Sequence, residues 1–365
     1  MLQEGNATNA TNATGGTQQM LPETISGALG LGGGPIADFV GGLIGAALIA
    51  TFLLTLVAVS GIWGKRKITA AFTDRIAVNR HGPFGLLIIV ADAVRLLSKE
   101  LIIPDGVDRP AYDIAPIVMA SSALLGFAVI PMGNGIQLAD PEAGLVYVFA
   151  VASIASVGLI MAGYSSNNKY SFLGGLRAVA QNLAYEIPLV VTAASVVIFA
   201  GTLQMSEIVA AQAEPLALGL KSWYAFVNPF AFLLFMAANL AEVGRNPFDI
   251  PEAPTEIVAG WQTEYSSVYF VLCYLSEFIH IFLGGAIITT IFLGGPTSPI
   301  VGLEILPGFL WFVIKILGVY LFTQWCRSAV PRVRIDQLIE IGWKGMLVLS
   351  FANLVLTAVI VGVIA

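Results

Sequence analysis

Carboxylates crowd into one short stretch of this chain, "EVGRNPFDIPEAPTEIVAGWQTEY" (Glu242–Tyr265), which holds five acids, one arginine and three prolines. Asp249, Glu252 and Glu256 recur at spacings of three and four, which is the spacing of one face of a helical turn. The prolines forbid a long regular helix, so we expect a re-entrant loop that is helical in its second half. Acids gathered in this way predict the mouth of a water-filled, proton-conducting funnel. A solvated loop that docks a basic partner is the alternative.

Ionisable side chains inside apolar runs are the second feature. Glu186, Glu242, Glu277 and Lys315 each lie within or at the end of a long apolar run. Charges at membrane depth are costly and usually functional. Because burial and neighbouring acids raise the proton affinity of a carboxyl group, a row of such groups can pass protons through intervening water. The sequence predicts a proton path, with buried pairs that only fix helix packing as the alternative.

The composition indicates what must position these acids. The chain has 365 residues, of which 57% are hydrophobic and 11% charged, against about 25% charged residues in a soluble protein. A bilayer core about 30 Å thick needs about 20 apolar residues per helix. We therefore predict an all-α polytopic membrane protein, with eight transmembrane helices in residues 34–365. The predicted helices are Ile36–Trp63, Ala111–Ile130, Leu145–Tyr164, Ile187–Gln204, Trp223–Ala241, Val268–Phe292, Pro307–Trp325 and Gly345–Ala365.

The basic residues predict the orientation of these helices. All but Lys221 and Lys315 of the 17 lysines and arginines lie in the loops after predicted helices 1, 3, 5 and 7, or at the adjoining helix ends. Because basic loops stay in the cytoplasm, we expect these four loops to be cytoplasmic and both termini to lie outside a prokaryotic cell membrane. Residues 1–33, which begin with three N-x-T glycosylation acceptors, are predicted to form a disordered, outward-facing tail.

One further apolar segment, "GLLIIVADAVRLLSKE" (Gly85–Glu100), does not fit a membrane span. It is short, and it holds Asp92, Arg95 and Lys99 at i, i+3 and i+7 on one helical face. Such a segment is typical of an amphipathic interfacial helix, here on the cytoplasmic side. A soluble helix packed against another subunit is the alternative, and the two are compatible.

No metal, haem or nucleotide site is predicted in this chain. Cys273 and Cys326 lie far apart, without the clustered spacing of a metal or iron–sulfur site. His81 and His280 are too few to hold a metal or haem unaided. We therefore expect no bound cofactor, no redox centre and no nucleic-acid partner for this chain.

Five motifs resemble the family of H subunits of respiratory complex I, the NADH-quinone oxidoreductase. The family's acidic loop reads like "AE-T-NR-x-PFD-L-x-E-x-E-x-E-L-V-x-G-F-x-x-EY", and this chain has "AEVGRNPFDIPEAPTEIVAGWQTEY". The stretches "GPFGLLIIVADAVRLLSKE", "GGLRAVAQNLAYE", "YLSEF" and "RSAVPRVRIDQLIEIGWK" are similar to further family motifs. The resemblance runs from about the first predicted helix to the C-terminus.

The resemblance implies a membrane subunit that joins the antiporter-like arm of complex I to its iron–sulfur-bearing peripheral arm. Quinone would enter from the bilayer between predicted helices 1 and 6 and the amphipathic helix, and its reduction against partner subunits would be coupled to proton movement. By position, the implied quinone-binding residues are Arg66, Arg75, Asp92 and Arg245. The residues of the expected proton path, including Lys315 from its place in predicted helix 7, are Glu186, Glu242, Asp249, Glu252, Glu256, Glu264, Glu277 and Lys315.

Departures from the family pattern fall mainly near the implied quinone tunnel. Lys65 replaces the glutamate of the family's "ERK", Ile88 and Ile89 replace the glutamine and proline of its "LLQP", and Pro254 replaces the third acid of the loop. These changes favour a more apolar tunnel and a menaquinone-like substrate. The resemblance leaves the electron donor open among NADH, reduced ferredoxin and a deazaflavin, with iron–sulfur clusters and any NAD, flavin or deazaflavin site on partner subunits.

Two other functions stay open on the sequence alone. One is the homologous membrane subunit of a membrane-bound hydrogenase-type complex, which needs no quinone. The altered quinone motif favours it, whereas Arg75 and the amphipathic segment do not. The other is a stand-alone proton-coupled transporter, which predicts an internal inverted repeat that we do not find in the sequence.

Overall fold

The computed structural model describes residues 20–29, 35–133, 135–215, 221–252, 256–299 and 306–364. These residues form helices and loops, with one isolated antiparallel bridge between Pro215 and Lys221. The predicted all-α class is confirmed for this part of the chain. The α-helices, numbered in chain order, are α1 Leu21–Ala28, α2 Pro35–Leu56, α3 Lys65–Phe72, α4 Ile88–Leu97, α5 Arg109–Gly126, α6 Gly144–Ser165, α7 Lys169–Ala200, α8 Met205–Ala211, α9 Tyr224–Val227, α10 Pro229–Glu242, α11 Ser267–Phe292, α12 Gly308–Ala329, α13 Ile335–Glu340 and α14 Leu347–Ile364.

Seven helical segments among the described residues are long and apolar enough to cross a membrane. The first joins α2 to α3 through a π-helical stretch, and the last joins α13 to α14 in the same way. The chain therefore has the architecture of a polytopic membrane protein. The seven segments are Ile36–Phe72, Arg109–Val129, Gly144–Ser165, Lys169–Ala200, Ser267–Phe292, Gly308–Ala329 and Ile335–Val363.

The predicted fifth helix, Trp223–Ala241, is broken, so eight full-length helices are not confirmed. α9 has four residues and α10 has 14, which gives α10 a length of about 21 Å. Asn228 produces the break, because its Oδ1 accepts a hydrogen bond from the Ala231 amide at 3.0 Å and so caps α10. Pro229 then occupies the first helical position, where proline is favoured. Hydropathy alone does not register such a cap within an apolar run.

α7 begins much earlier than the predicted helix Ile187–Gln204. Its first half is too polar for a hydropathy signal, but it packs on the loop that follows α10. There the Ser171 hydroxyl donates to the Trp261 carbonyl at 3.0 Å, and the Gln181 amide donates to the Phe248 carbonyl at 2.9 Å. Tertiary contacts therefore extend this helix beyond its apolar part. Glu186, predicted at the start of a helix, lies in the middle of α7.

α1 lies within the segment that the sequence predicts as a disordered tail. It packs against α2, and the Leu21 amide donates to the Gln137 carbonyl at 3.0 Å. The structure therefore differs from the predicted disorder at these eight residues. The three N-x-T acceptors lie outside the described residues.

α11 is buried at the centre of the bundle. In its most apolar window 67% of the residues are buried, against 17% for the segment Ile335–Val363. It packs against α5 and α12, and the side chains of Phe278, Phe282 and Phe292 are fully buried. Of the seven segments α11 therefore has the largest buried share.

Candidate functional site

A cavity of about 100 Å³ lies where α10, α11 and the loop between them meet. This loop, residues 243–266, is called the acidic loop below. Glu242, Glu252 and Glu277 line the cavity together with Arg245. A cavity of this size, with several polar side chains in its wall, has room for several water molecules. The fold thus brings three of the predicted proton-path acids to one wettable space.

Glu277 is the best-connected acid of the cavity. Its Oε1 accepts a hydrogen bond from Gln262 Nε2 at 2.6 Å, and its Oε2 lies 3.4 Å from an Nη atom of Arg245. Gln262 Nε2 also donates to Glu252 Oε1 at 3.1 Å. One amide therefore joins two carboxylates, and a single guanidinium that is only 5% exposed faces one of them as counter-charge.

Glycines allow the acidic loop to place Gln262 beside Glu277. Gly260 has φ +58°, and a Cβ there would lie 1.8 Å from the Pro251 carbonyl oxygen, so only glycine fits. On α7, a Cβ at Gly174 would lie 2.6 Å from the Trp261 amide nitrogen. The second half of the loop holds one 3-10 turn, Gly260–Gln262, in place of the expected helix. The left-handed backbone at Gly260 is incompatible with a regular helix.

Asp249 lies in the acidic loop with one carboxylate oxygen, Oδ1, buried and without a partner among the described residues. Burial and, next, the nearby charge of Glu252 raise the pKa of Asp249. This side chain does not line the cavity. Its surroundings therefore favour the protonated form of Asp249 more than water does.

Glu186 adds a further acid on the α7 side of the site. It is half-buried. Asn182, one helical turn earlier on α7, lines the cavity, and α7 packs against α10. Glu186 therefore lies on a helix that borders the cavity, without lining the cavity itself.

Glu256 and Glu264, also predicted for the proton path, lie outside the cavity. Glu256 forms an ion pair with Arg177 and a longer one, of 3.9 Å, with Arg332. Glu264 Oε1 accepts a hydrogen bond from Asn168 Nδ2 at 2.5 Å. Both acids attach the acidic loop to neighbouring segments and are not brought together with Glu277.

Lys315 is distant from the acids. Its Nζ donates to the carbonyls of Leu293, Gly295 and Thr297 at 2.5, 2.8 and 2.7 Å, and it lies 4.2 Å from the centroid of the Trp223 ring. Leu293 follows the last residue of α11, so this contact is about 24 Å from Glu277 along the helix. Lys315 therefore binds the carbonyls beyond the C-terminal end of α11.

The predicted quinone-binding residues divide into two places. Asp92 of α4 forms an ion pair with Arg66 of α3 at 2.5 Å, which ties the two helices together. It also pairs with Arg95 of its own helix at 3.4 Å. Arg75 is exposed, with no side-chain partner in the described part of the chain. Arg245 does not join them, because its side chain lies in the acidic cavity.

Phe278 connects these two places. Lys65 Nζ lies 5.1 Å from the centroid of its ring, and Arg245 Cζ lies 4.8 Å from the same centroid. Gly61, in the π-helical stretch after α2, leaves room for the ring, because a Cβ there would lie 2.6 Å from Phe278 Cδ1. A cation next to Arg66 and a cation in the cavity therefore share one aromatic ring.

Sequence reasoning missed several polar residues of the site. Gln262 carries no signal beyond its place in the acidic loop. Asn182, Asn239 and His280 also line the cavity. Each of these three lies three or four residues from a predicted acid on the same helix, a spacing that the sequence alone makes visible.

Comparisons with known proteins show the family to which the chain belongs. The sequence profile of the NADH dehydrogenase family matches residues 44–358. The H subunit of NADH-quinone oxidoreductase from Dehalococcoides mccartyi is 46% identical over 297 residues, which cover 81% of this chain and 80% of that protein. The protein of the same name in Bacillus cereus is 43% identical over 317 residues, covering 87% of this chain and 93% of the relative. The range matched by the family profile includes every residue of the cavity.

Proposed function

This chain belongs to the family of H subunits of NADH-quinone oxidoreductase, the membrane subunits of complex I, and from this membership we propose that it couples quinone reduction to proton movement. The enzyme is the assembled complex, of which this chain supplies one membrane component. The observation that carries the proposal is the arrangement around Glu277. A carboxyl group on the most buried of the seven membrane-spanning segments faces a wettable cavity that other acids also line.

The proposed proton path consists of Glu186, Glu242, Asp249, Glu252 and Glu277. One guanidinium, that of Arg245, faces Glu277, while Gln262 joins Glu277 to Glu252. With two carboxylates and one cation, uptake of a proton by the pair removes a like-charge repulsion. Release of that proton toward Glu242 then passes charge across the cavity. Glu256, Glu264 and Lys315 are left out of this path, because none of them lines the cavity and each binds groups away from it.

The proposed quinone side consists of Arg66, Arg75 and Asp92, with Lys65 next to them. Lys65 and Arg245 both contact the ring of Phe278, so a change of charge beside Lys65 reaches Arg245 over a short, buried distance. In a medium of low dielectric such effects are several times larger than in water. The contact of Lys65 and Arg245 with one ring supports coupling between the quinone side and the pair of Glu277 and Glu252.

We further propose that the chain crosses the membrane eight times. α10 is shorter than the hydrocarbon core of about 30 Å, and we assign the missing length on the outer side to α9. This assignment keeps both termini outside and the four basic loops in the cytoplasm. It also puts α4 at the cytoplasmic surface, with the apolar side chains of Val90, Val94 and Leu97 exposed to lipid or to a neighbouring subunit.

The proposed partners are the peripheral-arm subunits that reduce quinone and contain the iron–sulfur clusters, the small membrane subunits of the antiporter arm, and membrane lipid. The substrate is a quinone, as the names of the relatives print, and its menaquinone-like character stays a proposal from the sequence. NADH is the donor in those names. Any NAD, flavin or deazaflavin site is assigned to partner subunits, in a prokaryotic cell membrane.

Purification of the intact complex in mild detergent tests the proposed function. Its subunits and its lipid-soluble cofactors are identified, and its reduction of quinone is assayed with NADH and with reduced ferredoxin. We expect iron–sulfur subunits, bound quinone and donor-dependent quinone reduction. A nickel–iron hydrogenase component without quinone would contradict the proposal and assign the chain to a hydrogenase-type complex.

A further inference from the structure

Three acids of the proposed path each have an uncharged polar side chain one helical turn away on the same helix. The pairs are Asn182 with Glu186 on α7, Asn239 with Glu242 on α10, and His280 with Glu277 on α11. Residues three or four positions apart share a helix face, and all three polar residues line the cavity. Spacing and position therefore single out a second set of groups around the same space.

Asn239 is placed in the cavity by a missing side chain on α11. A Cβ at Gly284 would lie 2.1 Å from Asn239 Oδ1, so glycine at that position makes room for the amide. Asn239 is only 6% exposed, and its side chain has no hydrogen-bond partner in the described part of the chain. Because a buried polar group without a partner is strongly disfavoured, an amide in this position binds water of the cavity.

His280 is held in one tautomer by its own helix. Its Nδ1 lies 2.9 Å from the Ser276 carbonyl oxygen, and since a carbonyl only accepts, Nδ1 carries the hydrogen. The other ring nitrogen, Nε2, is then an acceptor, and it is buried without a partner among the described residues. His280 therefore keeps a basic atom unused, one turn from Glu277.

Asn182 completes the set from α7. Its side chain likewise has no hydrogen-bond partner in the described ranges, and it borders the cavity opposite α11. The charged groups that line the same cavity are Glu242, Arg245, Glu252 and Glu277. The uncharged residues thus share the cavity with Glu242 and Glu277, which no direct hydrogen bond joins among the described residues.

We propose that Asn182, Asn239 and His280 hold the water chain through which a proton passes between Glu277 and Glu242. This inference rests on the proposed function and names the positioning residues of its proton step. The proton leaves the Glu277 carboxyl group, moves through hydrogen-bonded waters held by His280 and the two amides, and arrives on the Glu242 carboxylate. Only O–H bonds, or a transient N–H bond at His280 Nε2, form and break.

The test compares two buried asparagines in the intact complex, reconstituted in closed vesicles and driven by NADH. Asn239→Leu removes the amide from the cavity, whereas Asn353→Leu makes the same change at a residue of α14 that is 3% exposed and does not line the cavity. We expect Asn239→Leu to slow quinone reduction and proton translocation about tenfold, the effect of one lost hydrogen bond on a barrier. Asn353→Leu should leave both rates unchanged.

A second measurement separates a positioning role from a structural one. In Asn239→Leu the ratio of the rates in H₂O and D₂O should rise, because proton transfer becomes limiting, and Asn239→Thr should restore most of the rate. Gly284→Ala displaces the amide without altering it, so it should show the same slow, isotope-sensitive turnover and carries the test if Asn239→Leu does not assemble. Full rates in these variants, or slow rates without an isotope effect, would overturn the proposal.

Glu277→Gln is assayed in parallel to distinguish a failure of the proposed water chain from a failure of the proposed proton path. If Glu277→Gln stops coupled turnover while Asn239→Leu and Gly284→Ala do not slow it, the water chain is wrong and the acid path stands. If Glu277→Gln itself turns over and pumps at the full rate, the proposed proton path fails, and the positioning residues fail with it.

Discussion

Two opposite charges are buried along the central helix α11, Glu277 near its middle and Lys315 of α12 beyond its C-terminal end, and the protein surrounds them in different ways. Glu277, in the cytoplasmic half by our assignment, shares one amide with Glu252, pairs with the guanidinium of Arg245 and faces a cavity. Lys315, beyond the far end, donates all three of its ammonium hydrogens to backbone carbonyls. Unused polar atoms such as His280 Nε2 lie near the first charge.

This difference shows that burial of a charge does not by itself identify a proton path. An ammonium group has three donors and no acceptor, so Lys315 has no hydrogen bond left for a moving proton. The cavity beside Glu277 is also lined by the amides of Asn182 and Asn239 and by His280, whose Nε2 has no partner among the described residues. Geometry therefore favours a structural role for Lys315 and a functional role for Glu277.

The largest effect is expected at Lys315, whose three hydrogen-bond donors all have partners. Lys315→Met leaves three carbonyls without their donor, and the loss of a buried charged partner lowers the free energy of unfolding by about 3–5 kcal/mol. The thermal midpoint and the yield of assembled complex should fall, while the protons moved per electron in the remaining complex should not. Lys344→Met, at an exposed pair with Glu340, is the control. A stable but uncoupled Lys315→Met complex would break the comparison.

The opposite result is expected at Glu277. Glu277→Gln keeps the size and the hydrogen-bonding capacity of the side chain but cannot carry a proton, so coupled quinone reduction should fall about 100-fold or more. Assembly and thermal midpoint should stay near those of the unaltered protein. Glu340→Gln, an exposed acid on α13, is the matched control. Measurements of pumped protons and of quinone reduction in closed vesicles decide the outcome.

The proposed quinone side also contains one residue with a partner and one without a partner among the described residues. Arg75, exposed and without a partner in the described residues, is free to contact quinone or a partner subunit, so Arg75→Ala should raise the KM for quinone about tenfold. Arg66 is occupied by Asp92, so Arg66→Ala should mainly loosen α4, by about 1 kcal/mol. Arg80→Ala, at another exposed arginine, is the control. An unchanged KM in Arg75→Ala would remove that residue from the site.

The smallest effect concerns Asp249. Because burial raises its pKa in the folded protein, the folded loop binds its proton more tightly than the unfolded chain does. Stability of the loop therefore falls as the pH rises through the unfolded and then the folded pKa. Asp249→Asn, which is neutral at every pH, should lack this loss. Hydrogen exchange of residues 243–252 between about pH 4 and pH 8 should show less pH dependence in the variant; equal pH dependence in both proteins would contradict the assignment.

Much of this arrangement follows from the sequence. Long apolar runs predict the helical class, and Glu242, Glu252 and Glu277 are predicted to act together because acids at membrane depth rarely occur without purpose. The one-turn spacing of Asn182, Asn239 and His280 from predicted acids is also visible in the sequence. These features depend on local spacing and hydrophobicity, which the chain carries within each helix.

Other features depend on contacts that no local pattern records. The polar first half of α7 is helical through its packing on the acidic loop, and that helix supplies the arginine, Arg177, that binds Glu256 outside the cavity. Lys315 has the sequence context of a proton carrier, but the end of α11 occupies its side chain. Asn228 ends an apolar run that hydropathy extends to a full span. In each case a tertiary hydrogen bond or cap decides the outcome.

Infrared difference spectroscopy of the intact complex shows whether Glu277 changes its protonation when quinone is reduced. Spectra are taken before and after reduction of the bound quinone, in the unaltered protein, in Glu277→Gln and in Glu256→Gln as the control. We expect quinone reduction to change a carboxyl C=O band. Glu277→Gln should abolish this change, and Glu256→Gln should retain it. An identical band in Glu277→Gln would show that this carboxyl group does not change its protonation when quinone is reduced.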